Sequence, residues 1–369
     1  MKQGWEYKKL NEVCEKGSSN IVISKLTDND GDYPLYGASG LVKHIDFYHQ
    51  DKPYIGIVKD GAGVGRVNIY PAYSSLVGTM QYIFPKKDCL LNFIKYFLVK
   101  LDLSHCVSGA TIPHIYFKDY GKDLIPVPSL KIQEKIVSEL DKINELIRLK
   151  KEQLKDYDDL AQSIFYEMFG DPVGNEKGWE VKKMKDVCTH IVDCPHSTPK
   201  KADTTTNYPC IRTSELKGGT ISWNTMQYLE KDEYEKRIAR LKPETGDIVF
   251  GREGTIGDAV ILPSGYHFCL GQRTMLIRTD NEMIINTFMH RTLMSEWIKH
   301  QIEYVNVSST VAHVNIKDFK LFDVPLPPLP LQHLFAQRIE QIERQKSAVQ
   351  QSITDLETLL ASRMQYWFE

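Results

Sequence analysis

The chain has 369 residues, 25% of them charged and 42% hydrophobic, with 46 Lys and Arg against 48 Asp and Glu for a net charge of −2. That length points to two domains, and the near-neutral balance excludes nucleic-acid binding by bulk charge, so any such affinity must come from local patches. There is no run of eighteen apolar residues, MKQGWEYKKL lacks the apolar core of a signal peptide, and the seven scattered cysteines are odd in number; a membrane span and a disulfide framework are therefore not expected, and a cytoplasmic protein is.

Residues 4–14 read GWEYKKLNEVC, and residues 178–188 read GWEVKKMKDVC, with seven of eleven positions identical. The chain thus begins twice. After the first beginning come strand-like runs YIGIV (54–58) and GRVNIY (65–70), a glycine cluster DGAGVG (60–65) and a predicted helix over 90–101. TIPHIYFKDY (111–120) and LIPVPSLKIQ (124–133) follow. Apolar positions then recur in alternating steps of four and three: Ile136, Leu140, Ile143, Ile147, Leu154, Tyr157, Ala161, Ile164 and Met168, with Lys150 as the polar exception. This is the seam of a coiled coil, and 132–168 as one helix would span roughly 55 Å. FGDPVGNEKG (169–178) suits a helix stop and a turn.

The second copy repeats the order. Strand-like DIVFG (247–251) and TMLIR (274–278), the cluster REGTIG (252–257) and a predicted helix over 285–302 lead to TVAHVNIKDF (310–319) and DVPLPPLPLQ (323–332). Thr111/Thr310, His114/His313, Lys118/Lys317, Asp119/Asp318, Pro126/Pro325, Pro128/Pro327 and Gln133/Gln332 coincide, while Pro113 becomes Ala312. The offset grows from 174 to 199, so the second copy holds about 25 extra residues, expected in surface loops. Its seam is Phe335, Ile339, Ile342, Lys346, Val349, Ile353, Leu356, Leu360, Arg363 and Trp367. A chain ordered domain, helix, domain, helix must send its second helix back along the first. The halves are then related by a pseudo-twofold axis. The plainer alternative is two amphipathic helices, each packed on its own domain. Predicted boundaries are 1–128, a helix over 129–170, a linker over 171–177, a second domain over 178–327 and a helix over 328–369.

No self-sufficient active site emerges. DGAGVG lacks the spacing of a dinucleotide or phosphate loop, and tight turns explain its glycines. Cys188, His190, Cys194 and His196 are zinc-type ligands at an unusual spacing, so no metal is expected there. Asp171 with Glu180 and Lys182 is a nuclease-like pattern common by chance. His114 and His313 have no arguable nucleophile partner and are expected to pack.

Taken together, GWE-x-KK-x3-VC at each domain start, SIFYEMFGDP (163–172) closing the first helix, VDCPHSTP (192–199), and T-x2-H-x3-KD before each proline pair and Gln resemble the DNA-specificity subunit of Type I restriction-modification systems. The resemblance covers the whole chain. It implies an α+β fold: two mixed α/β target recognition domains separated by a long antiparallel two-helix coiled coil, with internal pseudo-twofold symmetry. It implies that each domain reads one half of a bipartite, asymmetric site in double-stranded DNA, and that the helices act as a ruler and dock two methylation subunits. Those partners bind S-adenosylmethionine, and restriction subunits joining the complex use ATP and Mg; this chain would bind no cofactor and carry no catalytic residue. Competing readings are a protein-interaction scaffold that reuses the fold and a free-standing nuclease. By residue type, the expected DNA contacts are Lys43, His44, Lys59 and Arg66 in the first domain, and His196, Ser197, Lys200, Lys201, Arg212, Arg252, Gln272 and Arg273 in the second, all in polar loops.

Overall fold

A computed structural model describes residues 4–109, 111–171, 173–254, 256–306 and 313–369. Thr310, Ala312, Pro172 and Thr255 of the repeated motifs lie outside the described residues. The chain forms two compact units, residues 1–153 with 349–369, and residues 154–348.

In the first unit, β1 (Glu6–Lys9) is followed by α1 (Leu10–Val13), β2 (Cys14–Ser18), β3 (Tyr33–Gly37), β4 (Gly40–Ile45), β5 (Tyr54–Val58), β6 (Val67–Tyr70), β7 (Ser75–Leu76), β8 (Met80–Pro85), α2 (Leu91–Leu101), α3 (Phe117–Tyr120) and β9 (Leu124–Val127). An antiparallel sheet has the order β2-β8-β5-β6, and a smaller sheet β4-β3-β7 contains a parallel pair. YIGIV becomes β5, an inner strand with all five residues buried, as its unbroken apolar run requires. GRVNIY starts its strand only at Val67, because Gly65 and Arg66 belong to the preceding turn.

The second unit contains β10 (Glu180–Lys183), β11 (Cys188–Asp193), β12 (Pro209–Ile211), β13 (Leu216–Lys217), β14 (Thr220–Ile221), β15 (Gln227–Tyr228), β16 (Ile248–Gly251), β17 (Ala259–Ile261), β18 (Cys269–Leu270), β19 (Thr274–Thr279) and β20 (Asp323–Leu326). The sheets β11-β19-β16-β17 and β15-β12-β18 repeat the topology of the first unit, including the parallel pair. The extra residues of this copy are the β13–β14 hairpin, between β12 and β15, and the stretch between β15 and β16. The first helices of the unit, α4 (Leu130–Phe169) and α5 (Lys231–Arg237), serve different ends: α4 crosses from the first unit, and α5 occupies that second insertion. The single helix expected over 285–302 is instead α6 (Asn286–Leu293) and α7 (Glu296–Asn306). The break falls where the Ser295 hydroxyl donates to the Thr292 carbonyl at 2.6 Å, a local bond that competes with helix continuation. α8 (Ile316–Phe319) precedes β20, and α9 (Leu329–Phe368) closes the chain.

The proline motifs now have a structural reason. β1 pairs with β9, and β10 with β20, in two-stranded sheets, so Pro126 and Pro325 sit where a missing donor is tolerated. Five residues after the second proline, Gln133 and Gln332 are fully buried. Gln133 donates to the carbonyls of Asp88 and Pro128 at 2.8 and 2.9 Å and accepts from Leu90 N–H at 2.9 Å. Gln332 does the same with Met283, Pro327 and Ile285 at 3.1, 2.8 and 3.0 Å. Each amide thus locks the start of a long helix to the segment that opens α2 or α6.

α4 and α9 each contain 40 residues. In the first unit, Arg363 pairs with Glu139, and Lys151 meets Glu357 at 2.8 Å. In the second, Lys346 meets Asp158 at 2.7 Å, and Phe165 packs on Phe335 with centroids 5.7 Å apart. Within each unit the helix segments therefore run antiparallel. Of the seam residues, Ile136, Leu140, Ile143, Ile147, Ile339, Ile342, Val349 and Ile353 are buried, while Leu154 and Leu356 are half-buried. Of the three polar seam positions, Lys346 and Arg363 are bound across the pair, and Lys150 donates to Gln153 on its own helix at 3.1 Å. In the last turns the buried positions shift to Phe165, Phe169, Met364 and Phe368, four residues apart, because these turns face a domain core. Phe368 packs on Phe93 and Phe97, and Phe169 on Phe288 and Phe335. The GWE tryptophans sit at the same places: Trp5 stacks on Trp367 with centroids 6.3 Å apart, and Trp179 Nε1–H donates to the Phe169 carbonyl at 2.8 Å.

Two predictions follow from this packing. Replacing Gln332 with Leu leaves buried backbone groups unpaired and is expected to cost at least about 2 kcal/mol by urea denaturation; a cost near zero would contradict the locking role. His290 is buried against the Ala259 carbonyl at 2.9 Å, and burial pushes its imidazole down to about 4. The unfolded chain takes up this proton near pH 6.5 and the folded one does not, so stability should fall as pH drops from about 6.5 toward 4, by on the order of 3 kcal/mol. The loss specific to this residue should vanish in His290→Gln, as read from denaturation midpoints at several pH values.

Candidate nucleic-acid interface

In the first unit, the loop between β5 and β6 carries two of the expected contacts. Lys59 N–H and Asp60 N–H both donate to the Thr79 carbonyl, at 3.0 and 3.2 Å. Ile115 N–H donates to the Lys59 carbonyl at 2.9 Å, and Asp60 is bridged to His114. Gly61, Gly63 and Gly65 have φ of +84°, +87° and +86°, which L side chains adopt at a cost. A Cβ on Gly63 would lie 2.8 Å from the Arg66 guanidinium, so the bare backbone lets that side chain fold over the loop. Lys59 and Arg66 are thus brought to one loop, with Lys59 Nζ 3.7 Å from Asp60. Lys43 and His44 are not in a loop. They lie on β4 with alternate orientation: Lys43 is tied to the Leu26 carbonyl at 2.9 Å and to Asp30 at 3.1 Å, and His44 is exposed.

The second unit builds a corresponding cluster from different residues. The Val314 N–H donates to the Arg252 carbonyl at 3.0 Å, and Glu253 is bridged to His313, matching the bonds made by Lys59 and Asp60. The matched histidines therefore meet the loop after β5 or β16 at corresponding positions. Around this loop the charges alternate. Arg273 Nε lies 3.3 Å from Glu253, Arg252 pairs with Asp193, and His196 Nε2 lies 3.2 Å from Asp193. Gln272 donates to the His196 carbonyl at 2.6 Å. Ser197 is exposed beside it and gives its carbonyl to Arg237 at 3.2 Å. Arg212 adjoins the same turn: a Cβ on Gly271 would lie 2.2 Å from Arg212 Cγ.

These side chains are not equivalent. The Arg252 side chain is 9% exposed, its Nε has no partner among the described residues, and it is no loop-surface group as expected. Its charge faces inward because Asp193 holds it there. Arg212 is likewise committed, through two bonds of 3.1 and 2.6 Å to the buried Glu215 and one of 2.9 Å to the Thr225 carbonyl. Arg273 is 63% exposed and His196 69% exposed, so these two present their donors outward. Arg273 also has φ +66°, a strained conformation for a side-chain-bearing residue, of the kind that clusters at functional sites. Lys200 and Lys201 are exposed, with Lys201 bridged to Leu229. The partnership of Asp193 with Arg252 and of Glu253 with Arg273 was not read from sequence, because only folding brings residues 59 and 20 positions apart together, whereas Glu215 lies three residues from Arg212 in one short turn.

Among the described residues, Cys188, His190, Cys194 and His196 form no group of ligand atoms in mutual reach. Glu180 pairs with Lys182 at 2.7 Å, as Glu6 does with Lys8 at 2.8 Å, on the same face of β10 and β1. No helix among the described residues is long and apolar enough to cross a membrane.

Comparison with known proteins adds four findings. The family described as the Type I restriction modification DNA specificity domain matches residues 2–156 and 176–358. The MjaVIII specificity subunit of a Type I restriction enzyme from Methanocaldococcus jannaschii is 24% identical over 306 residues, covering 77% of this chain and 71% of that protein. The S subunit of a Type I restriction-modification system from M. genitalium shares the fold, with a TM-score of 0.59, 13% identity, and 99% and 96% of the two chains covered. A chain solved in a study of complex assembly and conformational transition of the type I R-M system does so with a TM-score of 0.56, 16% identity, and 99% and 97% covered.

The geometry separates holding residues from presenting ones. Arg252→Ala removes the buried guanidinium from Asp193, which keeps His196 beside it, and is expected to cost about 2 kcal/mol. Arg273→Ala should cost no more than about 0.5 kcal/mol. Urea unfolding of the two variants checks this division, and equal costs would contradict it.

Proposed function

This chain belongs to the family of Type I restriction-modification DNA specificity subunits, the non-catalytic members of their complexes, and from that premise we propose that its two units read the two halves of a bipartite, asymmetric site in double-stranded DNA. One observation carries the reading. The two units share a topology, yet their exposed loop clusters present different donors: Lys59 and Arg66 in one, His196, Gln272 and Arg273 in the other. A shared scaffold with unlike donors suits a site whose halves differ. Arg273 matches the two acceptors of guanine in the major groove, and Gln272 those of adenine. Lys200 and Lys201 suit backbone phosphates, which position without specifying. Arg252, Arg212 and Asp193 act as positioning residues that hold the presenting side chains.

The helices are the spacer in this reading. Forty residues of continuous helix extend about 60 Å. An antiparallel coiled coil of α4 and α9 sets the distance between the domains, under pseudo-twofold symmetry, and offers its outer faces to two methylation subunits. Those partners supply S-adenosylmethionine and the methyl transfer, and restriction subunits bring ATP and Mg; this chain's own residues only recognise and space. The complex works in the cytoplasm, on DNA half-sites whose centres lie on the order of one helical turn, ~34–36 Å, apart.

With a net charge of −2, the isolated chain is expected to bind DNA weakly, and the complex with methylation subunits specifically. The test exchanges residues 178–327 for those of another family member and maps the adenines methylated by the assembled complex. One half-site should change and the other persist. A change in both halves, or in neither, would contradict the assignment of one unit to one half. In the unswapped complex, Arg273→Ala should relax discrimination at one position by about 1–3 kcal/mol.

A further inference from the structure

A cluster in the first unit lies outside everything used above. α2 ends at Asp102, whose backbone is left-handed with φ +50°, and a short 3-10 turn, Leu103–Cys106, follows. The left-handed residue turns its carbonyl back toward His105, and Nδ1 of that ring lies 2.9 Å from it. On the other side of the ring, Nε2 lies 3.1 Å from Asp123 Oδ2. A carbonyl and a carboxylate can only accept. Nδ1 must therefore carry a proton, and a neutral imidazole would aim the Nε2 lone pair at a carboxylate oxygen. That arrangement is satisfied in two ways, by a second proton or by a cation between nitrogen and oxygen. The Cys106 sulfur decides what kind of cation fits, because ligand atoms of His105, Cys106 and Asp123 all lie within 4.8 Å of one another.

We propose that His105, Cys106 and Asp123 form a binding site for one zinc-type divalent cation in the first unit. Imidazole, thiolate and carboxylate together suit Zn²⁺ or Co²⁺ and not Mg²⁺ or Ca²⁺, which take oxygen ligands. Three protein ligands leave a fourth position for water. The Asp102 carbonyl fixes the ring orientation and leaves Nε2 as the ligating nitrogen. On binding, bonds from the metal to His105 Nε2, Cys106 Sγ and an Asp123 carboxylate oxygen replace three of its water ligands, and the thiol proton and any proton on Nε2 pass to solvent. No redox change is involved.

The position gives the site a consequence. Cys106 and Asp123 bracket the segment that contains the Ser108–His114 and Asp60–His114 bridges. That segment is the support under the Lys59–Arg66 loop. A cation joining the turn to Asp123, immediately before β9, closes this segment into a ring and stiffens the support. The second unit has no counterpart cluster among the described residues, so the effect belongs to one unit alone.

The experiment titrates Co²⁺ into the full-length chain after chelator treatment and follows the near-ultraviolet thiolate-to-cobalt charge-transfer band. One equivalent should saturate the band, and added Zn²⁺ should abolish it. Cys106→Ser should eliminate it, His105→Ala should weaken binding at least about tenfold, and the double variant Cys188→Ser, Cys194→Ser should leave it intact. X-ray absorption of the zinc-loaded native chain supplies a readout that needs no variant to fold, with one sulfur and the remaining ligands nitrogen or oxygen. Cobalt binding without a thiolate band, a band that survives Cys106→Ser, no stoichiometric binding, or a zinc shell with no sulfur or more than one would each overturn the proposal.

Discussion

Each domain core is closed by the end of a helix that begins elsewhere. Phe368 is the last residue of α9, and it fills the first unit's core against Phe93 and Phe97. Phe165 and Phe169 end α4 and fill the second unit's core against Phe288 and Phe335. A buried phenylalanine is among the largest single contributions a core can receive. The two cores therefore make the helices obligatory parts of the domains, and they fix which end of each helix belongs where. The tryptophan at each domain start reads the same helix end, by stacking in one unit and by a hydrogen bond to a terminal carbonyl in the other.

That constraint explains the repeated motifs as joints. The buried glutamine anchors where a helix leaves its domain, and the GWE segment anchors where a helix arrives. Between these joints the sheets keep one topology while the loops diverge in length and charge. Among the described residues the β13–β14 hairpin and α5 occur in one unit only, and they hang from the small sheet. Joints that match in both copies and loops that do not are what the two-part reading proposed above would require.

Much of this was legible in the residues. Periodicity gave the long helices and most of their buried positions. What was hidden is of two physical kinds, tertiary packing and local hydroxyl bonding. The outward shift of burial to Phe165, Phe169, Met364 and Phe368 comes from tertiary packing on a domain, which a heptad count on one helix cannot reveal. The break at Met294–Ser295 depends on hydroxyl bonds made within the turn. For the candidate interface, residue type could not distinguish Arg252 from Arg273. The difference between them is made by Asp193, 59 residues away and bonded to one of them only. His105, Cys106 and Asp123 were silent for the same reason, since 17 residues separate the last two of them.

The most direct measurement is hydrogen exchange on the full chain carrying Phe368→Ala or Phe169→Ala. Each truncation should cost about 3–5 kcal/mol in the core it touches. The account predicts that Phe368→Ala lowers protection of residues 91–101 and leaves 286–293 unchanged, and that Phe169→Ala does the reverse. Loss of protection in both segments from either variant, or in neither, would contradict the claim that each domain is closed by the helix end that arrives at it.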